Sequence, residues 1–503
     1  MKILSFATIF RNTLWLTLNH TMQSIQIKNL STNSMDSSHE VKGEHPSVVI
    51  IGAGMAGISA AETLLKNGIA NIKILEASER YGGRVYTKMW NNGRCELGAK
   101  CVDFPVDERV FQTYGDMRIC SDKSPDLKFF KSDGTLIDVK ISACVREEFS
   151  NLKDSFGHMK SIIDPSTDNL TSIIRNVQKK CTHSKTDDVL CVIYAVLNSL
   201  RSRFGTDLQN VNLDLSKNKI LKNNKIDLPS GCSSFFDTAI TPEIKDLILL
   251  GSPVGSIKRM YQCPQRFIRT EILNGRSIDS DYVICTIPLP TLMALGNDMF
   301  SPPLSQIKFY SMKKIGIGNV ERIFLLFREP IAAWFDGPLN FAWHPNELEN
   351  RNHWSTGICT VTELVNGSNI LEITVAGFQA EDVCLSSDEK AVSDIHSILR
   401  KFLGNAKIPY PIDILRSQWS KDIRTLGSIV YPKGSATIDD LVTQEQTGDY
   451  GCPDYPRLLF AGDSTISEHF GTIHGARLSG IREANRIVEN VHTGTFRRNY
   501  TFR

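Results

Sequence analysis

A short, fully apolar run, Val48–Ile51, leads directly into a glycine-rich turn, and this combination constrains the fold more than any other feature. An apolar run of this length beside a turn is typical of a buried parallel strand. Residues 58–66 have helical composition and stop at an Asn-Gly pair. Ile72–Leu75 is a second strand candidate and runs directly into Glu76. The spacing therefore predicts one βαβ unit.

The turn contains three glycines, in the order Gly52-Ala53-Gly54-Met55-Ala56-Gly57. We expect Gly52 to make the tight turn, Gly54 to let backbone N–H groups approach a pyrophosphate, and Gly57 to let helix and strand pack closely. Met55 and Ala56 lie between the second and third glycines, and the positive end of the helix that follows the turn favours phosphate. A glycine turn without a ligand is the weaker alternative.

Glu76, at the end of the second strand, is placed to accept hydrogen bonds from the hydroxyls of an adenosine ribose. Strand, glycines, helix, strand and terminal acid together predict a bound dinucleotide. The unit by itself does not separate FAD from NAD.

Four further segments help to separate the two dinucleotides. Two follow the βαβ unit and two lie near the far end of the chain: Gly82-Gly83-Arg84, Glu96-Leu97-Gly98-Ala99, the apolar run from Leu458 to Gly462 and Asp463, and Thr472-Ile473-His474-Gly475 with the amphipathic stretch after it. In this order they closely resemble the FAD-binding motifs of the flavin-containing amine oxidase family. The resemblance covers roughly residues 48–488.

The resemblance implies a role for each matching residue. Arg84 would hold the diphosphate, Gly98 and Ala99 would lie beside the isoalloxazine ring, and Asp463 after Gly462 would bind the ribitol chain. Further members of the implied site are Val254 at the adenine, Trp419 at the outer face of the flavin, and the amides near Thr472 and Ile473 at its pyrimidine edge. For Trp419, a place in the core is an equal alternative. His474 taken alone is more often a packed structural histidine than a base.

Within the family, the sequence is most similar to animal polyamine oxidases, including spermine oxidase. Monoamine oxidases hold FAD covalently through a cysteine late in the chain, whereas the matching stretch Gly427-Ser428-Ile429-Val430-Tyr431 has none. The resemblance therefore implies noncovalent FAD.

Three departures from the family concern chemistry. Arg322 replaces the lysine that holds a water near flavin N5, and a guanidinium stays protonated at any working pH. Asp103 stands in an altered loop, where it is either a partner for a cationic amine or an ordinary loop acid. Asp463 is one methylene shorter than the family glutamate. Arg322, Asp103 and Thr472 are our candidate catalytic residues.

The implied fold is an α/β, two-domain one. A glutathione-reductase-like FAD-binding domain with a Rossmann-type βαβ unit is interleaved with a substrate domain of mixed sheet plus helices. We assign residues 46–104, 226–304 and 416–492 to the FAD domain, 105–225 and 305–415 to the substrate domain, 1–45 to a leader and 493–503 to a tail.

The implied activity is FAD-dependent oxidation of polyamines such as spermine, spermidine or their acetylated forms, with O2 as acceptor and hydrogen peroxide as product. Two alternatives remain open. The chain is a flavin-binding scaffold with weak or lost activity, or an oxidase of another amine or an amino acid.

Composition narrows the partners. The formal net charge is +2, from 57 basic and 55 acidic residues, so no electrostatic footprint for nucleic acid is expected. The 12 cysteines include no Cys-x-x-Cys pair, and we expect reduced core cysteines and no metal site. No apolar run is long enough to span a membrane. We expect a cytoplasmic monomer, with a mitochondrial or weak secretory signal in the first 35 residues as the alternative.

Overall fold

The computed structural model describes residues 45–100, 102–104, 118–120, 127–155, 169–181, 186–211, 224–228, 230–260, 267–349, 353–364, 368–433, 457–467 and 469–493. Only the backbone is described for 102–104, 118–120, 152–155, 169–170 and 224–227. The predicted leader, apart from its last residue, and nearly all of the predicted tail lie outside these ranges.

Twenty-two strands occur in the described part of the chain: β1 (Val48–Ile51), β2 (Ile72–Leu75), β3 (Thr87–Trp90), β4 (Gly93–Glu96), β5 (Val102–Phe104), β6 (Arg118–Cys120), β7 (Lys128–Phe130), β8 (Asn224–Asp227), β9 (Ile248–Leu249), β10 (Val254–Met260), β11 (Phe267–Ile272), β12 (Ser277–Ser280), β13 (Tyr282–Cys285), β14 (Phe300–Ser301), β15 (Ile315–Gly318), β16 (Val320–Leu326), β17 (Leu339–Phe341), β18 (Ile358–Glu363), β19 (Ile370–Ala376), β20 (Asp413–Arg416), β21 (Ile429–Pro432) and β22 (Leu458–Phe460).

Twelve α-helices occur in the same ranges: α1 (Met55–Lys66), α2 (Val139–Ser155), α3 (Asn169–Lys180), α4 (Thr186–Phe204), α5 (Ser234–Ala239), α6 (Pro242–Leu247), α7 (Leu289–Leu295), α8 (Gln306–Lys313), α9 (Pro345–Glu349), α10 (Phe378–Leu385), α11 (Asp388–Phe402) and α12 (Ile473–His492). Short 3-10 turns lie at Leu208–Asn210, Asn297–Met299, Ile331–Ala333 and Trp354–Gly357.

A five-stranded parallel sheet, in the order β22-β13-β1-β2-β9, is built around the predicted βαβ unit. All four residues of β1 are buried. Val48 and Ile50 pack into the same hydrophobic cluster as α1 and α12, whereas Val49 and Ile51 pack into a different one. Both faces of the strand are therefore covered, which is why its sequence shows no polar alternation.

The first and last helices of the described chain pack directly against one another. A Cβ atom on Gly480 of α12 would lie only 2.1 Å from the carbonyl oxygen of Ala56 in α1, so the two backbones touch at this point. Arg477 of α12 reaches across to the Glu62 carboxylate at 3.1 Å. This crossing brings the two ends of the sequence to one place.

A six-stranded mixed sheet, in the order β20-β16-β19-β18-β17-β7, carries the other large core. Ile323 and Leu325 of β16 pack into one cluster with α11. Phe324 and Leu326, on the opposite face, pack with Leu97 from the segment after β4. Alternate side chains of β16 therefore pack against α11 on one face and against the predicted ring-side loop, residues 96–99, on the other.

The predicted fold class is confirmed: the chain is mixed α/β with a Rossmann-like unit and several mixed sheets plus helices. The domain boundaries stay a prediction. Some element limits differ from expectation. The first helix starts at Met55 rather than Ile58, since Gly54 is already an extended N-cap, and the last helix continues beyond Val488 to His492.

The expected burial of the cysteines in the core holds for several of those that are described. Cys95, Cys181 and Cys285 form no disulfide and are buried in the hydrophobic clusters. Cys101 and Cys452 lie outside the described residues. No helix in the described ranges is long and apolar enough to cross a membrane.

Candidate active site

The three glycines of the turn differ in what surrounds them. Gly52 has φ +105°, and a Cβ there would lie 2.4 Å from the Thr286 hydroxyl. A Cβ on Gly57 would lie 2.0 Å from the Gly52 carbonyl oxygen, so no side chain fits between helix and turn. Next to Gly54, by contrast, nothing lies within 4 Å. The turn is therefore closed by packing at both ends and open at its middle glycine.

A second glycine segment lies over this open position. The Gly82 N–H donates to the Ala53 carbonyl at 2.8 Å, and a Cβ on Gly83 would lie 3.6 Å from the Gly54 Cα. Met55 and Ala56 follow as the first residues of α1, and both are buried. Two glycine-rich backbones and a helix N-terminus thus surround one opening, which suits a pyrophosphate.

Arg84 links this opening to the far end of the chain. Its guanidinium donates to the Asp463 carboxylate at 2.7 Å and to the Ser428 carbonyl at 3.1 Å. Asp463 follows Gly462, whose N–H donates to the Ser479 hydroxyl of α12 at 2.8 Å. Residues 84 and 463 are 379 positions apart, and only the folded chain brings them together.

The Glu76 carboxylate binds the backbone of the βαβ turn and of the segment after β2. One of its oxygens accepts the Ala53 N–H at 2.8 Å, and the other accepts the Ser78 N–H and hydroxyl. A carboxylate has about four acceptor positions, so one is left for a further donor. The Glu76 carbonyl accepts the Ser252 N–H, two residues before Val254, so the two segments predicted at the adenosine run side by side.

The predicted ring-side loop, residues 96–99, is held by short contacts. A Cβ on Gly98 would lie 1.8 Å from the Arg84 carbonyl, to which Ala99 also donates its N–H. The Trp419 indole N–H donates to the Leu97 carbonyl at 2.6 Å. Trp419 is buried in the cluster with Leu97 and β16 and helps to fix this loop, while its contact with the flavin stays a prediction.

Thr472 is the N-cap of α12. Its hydroxyl accepts the Gly475 N–H at 2.9 Å and donates to the His469 carbonyl, and the first turn carries no acidic residue. Ile473 begins the helix and is buried. The Gly471 N–H donates to the Asp463 carbonyl at 3.1 Å, which joins this N-terminus to Arg84 and Asp463.

His474, the second residue of α12, is buried, and its ring packs edge-on against His469 at 4.4 Å. Burial, together with His469 and Arg477, lowers the pKa of His474 to about 4. The ring is therefore neutral at pH 7, as a packed structural histidine would be.

Arg322 lies on β16, beneath the ring-side loop. Its guanidinium donates to the Glu96 carbonyl at 3.1 Å and lies 3.7 Å from the carboxylate of Glu372. Glu372 also accepts from Lys100 at 2.6 Å. The Lys100 and Arg322 cations hold the pKa of Glu372 below its usual range against the opposing effect of burial.

Sequence reasoning missed Lys100 and Glu372. Two signals were present: Glu372 is the one charged residue in the apolar strand Ile370–Ala376, and Lys100 directly follows Ala99. The candidate Asp103 lies in β5, paired in register with Lys225 of β8. Its side chain lies outside the described residues, so its two interpretations stay open.

Glu321 holds the loop that carries Trp419. Its two carboxylate oxygens accept the Gln418 N–H at 2.9 and 3.0 Å, and the residue is 1% exposed. Burial raises the pKa of Glu321 from 4.5 to about 7, although hydrogen bonds from Gln418 and Ser417 oppose the shift.

This shift predicts a pH-dependent stability. Because the folded state holds the proton more tightly, the stabilisation is complete below pH 4.5 and is lost as the pH rises through about 7. We expect the free energy of unfolding of the native protein, relative to that of Glu321→Gln, to decrease by up to about 3 kcal/mol between pH 5 and 8. The Tm of the native protein should therefore fall relative to the Tm of the variant over this range. Parallel Tm curves for the two proteins would contradict it.

The residues brought together match the chemistry of a dinucleotide with a flavin end. Gly54 leaves open space where a phosphate needs backbone contact, and α1 begins without a side-chain cap. Arg84 supplies a cation. Within the described ranges, no group of three or more His, Cys, Asp or Glu side chains is placed to hold a metal ion. A cavity of about 70 Å³ lined by Tyr194 and Trp343 contains none of the predicted site residues.

Comparison with known proteins agrees with this site. The family model described as flavin containing amine oxidoreductase matches residues 201–488, and the model for an NAD(P)-binding Rossmann-like domain matches residues 50–117. Together they indicate FAD as the cofactor.

Three relatives illustrate the range of similar proteins. Protein anon-37Cs of Drosophila melanogaster is 29% identical, covering 93% of this chain and 97% of its own. The peroxisomal N(1)-acetyl-spermine/spermidine oxidase of Bos taurus is 24% identical, covering 89% and 96%. The lysine-specific histone demethylase 1 homolog 2 of Arabidopsis thaliana is 27% identical, covering 89% of this chain and 59% of its own.

Proposed function

The chain belongs to the flavin-containing amine oxidoreductase family, and from that premise we propose that it oxidises polyamines with noncovalently bound FAD and O2. The observation that carries the proposal is the Arg84–Asp463 ion pair, which joins the N-terminal and C-terminal cofactor segments in one site. A chain that had kept only a nucleotide-binding turn would not need this pairing.

The cofactor would be held along its whole length by residues of this chain. Gly54, Gly83 and Arg84 suit the diphosphate, Glu76 the ribose, and Asp463 the ribitol. The N-terminus of α12 at Thr472 would favour negative charge on the flavin. The chemistry that bound FAD would supply is that of a hydride acceptor for the carbon next to the amine nitrogen.

The protein's own contribution is to orient the amine and exclude water. Trp419 and the buried β16 residues Phe324 and Leu326 give the ring-side loop an apolar support. An apolar surrounding favours the neutral form of a bound amine, which is the form that can release hydride. The imine that results would be hydrolysed after release to water, and O2 would be reduced to hydrogen peroxide.

Polyamines are the first substrate class to test because two relatives bear that activity in their names. The bovine and human N(1)-acetyl-spermine/spermidine oxidases match this chain over 89% and 88% of its length. Another amine or an amino acid is the second class. Loss of oxidase activity with retention of flavin is the alternative favoured by Arg322, which cannot exchange a proton.

The deciding experiment is an anaerobic titration of the purified yellow protein with N1-acetylspermine, spermine and spermidine. We expect a polyamine to bleach the flavin and O2 to restore the colour with release of peroxide. A monoamine and an amino acid serve as comparison substrates, and free FAD with spermine serves as the blank.

Each outcome separates the alternatives. If only an amino acid bleaches the flavin, amino acids replace polyamines as the proposed substrate class. Yellow protein that no amine reduces would favour a flavin-binding scaffold. Denaturation followed by filtration should release the flavin, because the stretch from Gly427 to Tyr431 contains no cysteine; colour retained on the chain would contradict noncovalent binding.

A further inference from the structure

Glu372 is a buried charge on an otherwise apolar strand. It lies in β19, in register with Phe324 of β16 and Thr362 of β18, and is 3% exposed. An isolated carboxylate in this position would be strongly unfavourable, so its partners must explain its presence.

The two oxygens of Glu372 differ in their surroundings. Oε2 accepts the Lys100 ammonium at 2.6 Å, whereas Oε1 lies 3.7 Å from the Arg322 guanidinium and accepts no hydrogen bond within the described part of the chain. The Arg322 Nη1 donates instead to the Glu96 carbonyl. Glu372 therefore fixes Lys100 directly, while Arg322 mainly supports the backbone of the loop.

Lys100 occupies the more open position of the two cations. Its side chain is 47% exposed, against 16% for Arg322. It directly follows Ala99, the last residue of the segment predicted to lie beside the isoalloxazine ring. The Glu96 carboxylate accepts instead from the Cys232 N–H and the Thr87 hydroxyl.

We propose that Lys100, held in place by Glu372, is the cation that sets the reduction potential of the bound flavin. The inference rests on the proposed FAD site. A flavin gains negative charge on reduction, and a fixed cation nearby stabilises the charged form. Within the described residues, Glu372 is the one carboxylate in ion-pair contact with both Lys100 and Arg322, so it offsets only part of their positive charge. Glu372 is a positioning residue that partly offsets that charge.

The test is the midpoint potential of FAD-loaded protein, measured by chemical reduction with dithionite against reference dyes. Lys100→Met removes a cation and leaves Glu372 in excess, so the reduction equilibrium should fall at least tenfold, about 30 mV for two electrons. Lys100→Arg should stay close to the native potential. Glu372→Gln removes the offsetting anion and should raise the potential.

The midpoint potential should fall in Lys100→Met and rise in Glu372→Gln. A merely structural role of the two residues would not give shifts of opposite sign. Lys88→Met is the matched control, since Lys88 is exposed on β3, and should leave the potential unchanged. An unchanged potential in Lys100→Met, or an equal fall in Lys88→Met, would overturn the proposal. If Glu372→Gln does not fold, the contrast between Lys100→Met and Lys100→Arg decides.

Dithionite needs no amine, so this measurement does not depend on the substrate. If no amine reduces the native protein but Lys100→Met still shifts the potential, the polyamine assignment fails and the role of Lys100 stands. If amines reduce the native protein and Lys100→Met has the native potential, the polyamine assignment stands and the role of Lys100 fails.

Discussion

Gly57→Ala is expected to yield a protein that is less stable and has lost FAD. The new methyl carbon would lie 2.0 Å from the Gly52 carbonyl oxygen and 3.2 Å from the Ile50 side chain. The Gly52 carbonyl belongs to the backbone and cannot rotate away, so β1 and α1 must move apart. Overpacking in a core costs roughly 1–3 kcal/mol or more, and here it also opens the phosphate site.

Gly54→Ala is the matched variant, because nothing lies within 4 Å of its new Cβ. We expect its unfolding temperature without FAD to stay within a few degrees of the native apoprotein, while Gly57→Ala melts clearly lower. Both should lose the yellow colour during gel filtration, Gly54→Ala because the methyl group occupies phosphate space. Full FAD content in Gly57→Ala would contradict the packing argument, and full content in Gly54→Ala would move the phosphate elsewhere.

Arg84→Met is expected to weaken FAD binding by at least 100-fold. The guanidinium would be lost from the diphosphate, and Asp463, whose side chain is 14% exposed, would keep a carboxylate without its partner at 2.7 Å. Removing one member of a desolvated, hydrogen-bonded charge pair costs about 2–5 kcal/mol. The measurement is the Kd of the apoprotein for FAD from flavin fluorescence quenching.

Asp463→Asn and Arg269→Met complete this experiment. Arg269 and Asp279 form an equally short pair at 2.7 Å, but both side chains are largely exposed, so Arg269→Met should change FAD binding little. Asp463→Asn keeps the shape and removes the charge. If Arg84→Met binds FAD as Arg269→Met does, the ion pair is structural and the diphosphate lies elsewhere.

The βαβ unit could be predicted because its determinants are local. Val48–Ile51 is apolar at every position, and the three glycines stand at spacings that only a strand–turn–helix explains. The structure adds the reason for each: positive φ at Gly52, open space at Gly54 and backbone contact at Gly57. Composition predicts the start of α1 three residues too late, because it does not show that a glycine in extended conformation can cap a helix.

The interpretation of Trp419 shows the limit of motif reasoning. Sequence left a flavin-facing residue and a core residue as equal alternatives. The structure shows that Trp419 is buried, packs against β16 and donates to the Leu97 carbonyl, and both interpretations are compatible with this position. A tryptophan looks the same in a sequence whether its ring meets a ligand or a leucine.

By itself, the sequence determined the nucleotide turn, the order of the cofactor segments and the family. Each of these is recognised from short motifs, and the residues within one motif are close together in the chain. Only the tertiary structure decided which side chains meet across long separations: Arg84 with Asp463, and Lys100 with Glu372, 272 positions apart. Local propensity carries no information on such pairs. These pairs arise when the α1–α12 crossing and the pairing of β16 with β19 bring distant charges together. A buried charge at either position needs a partner of opposite sign.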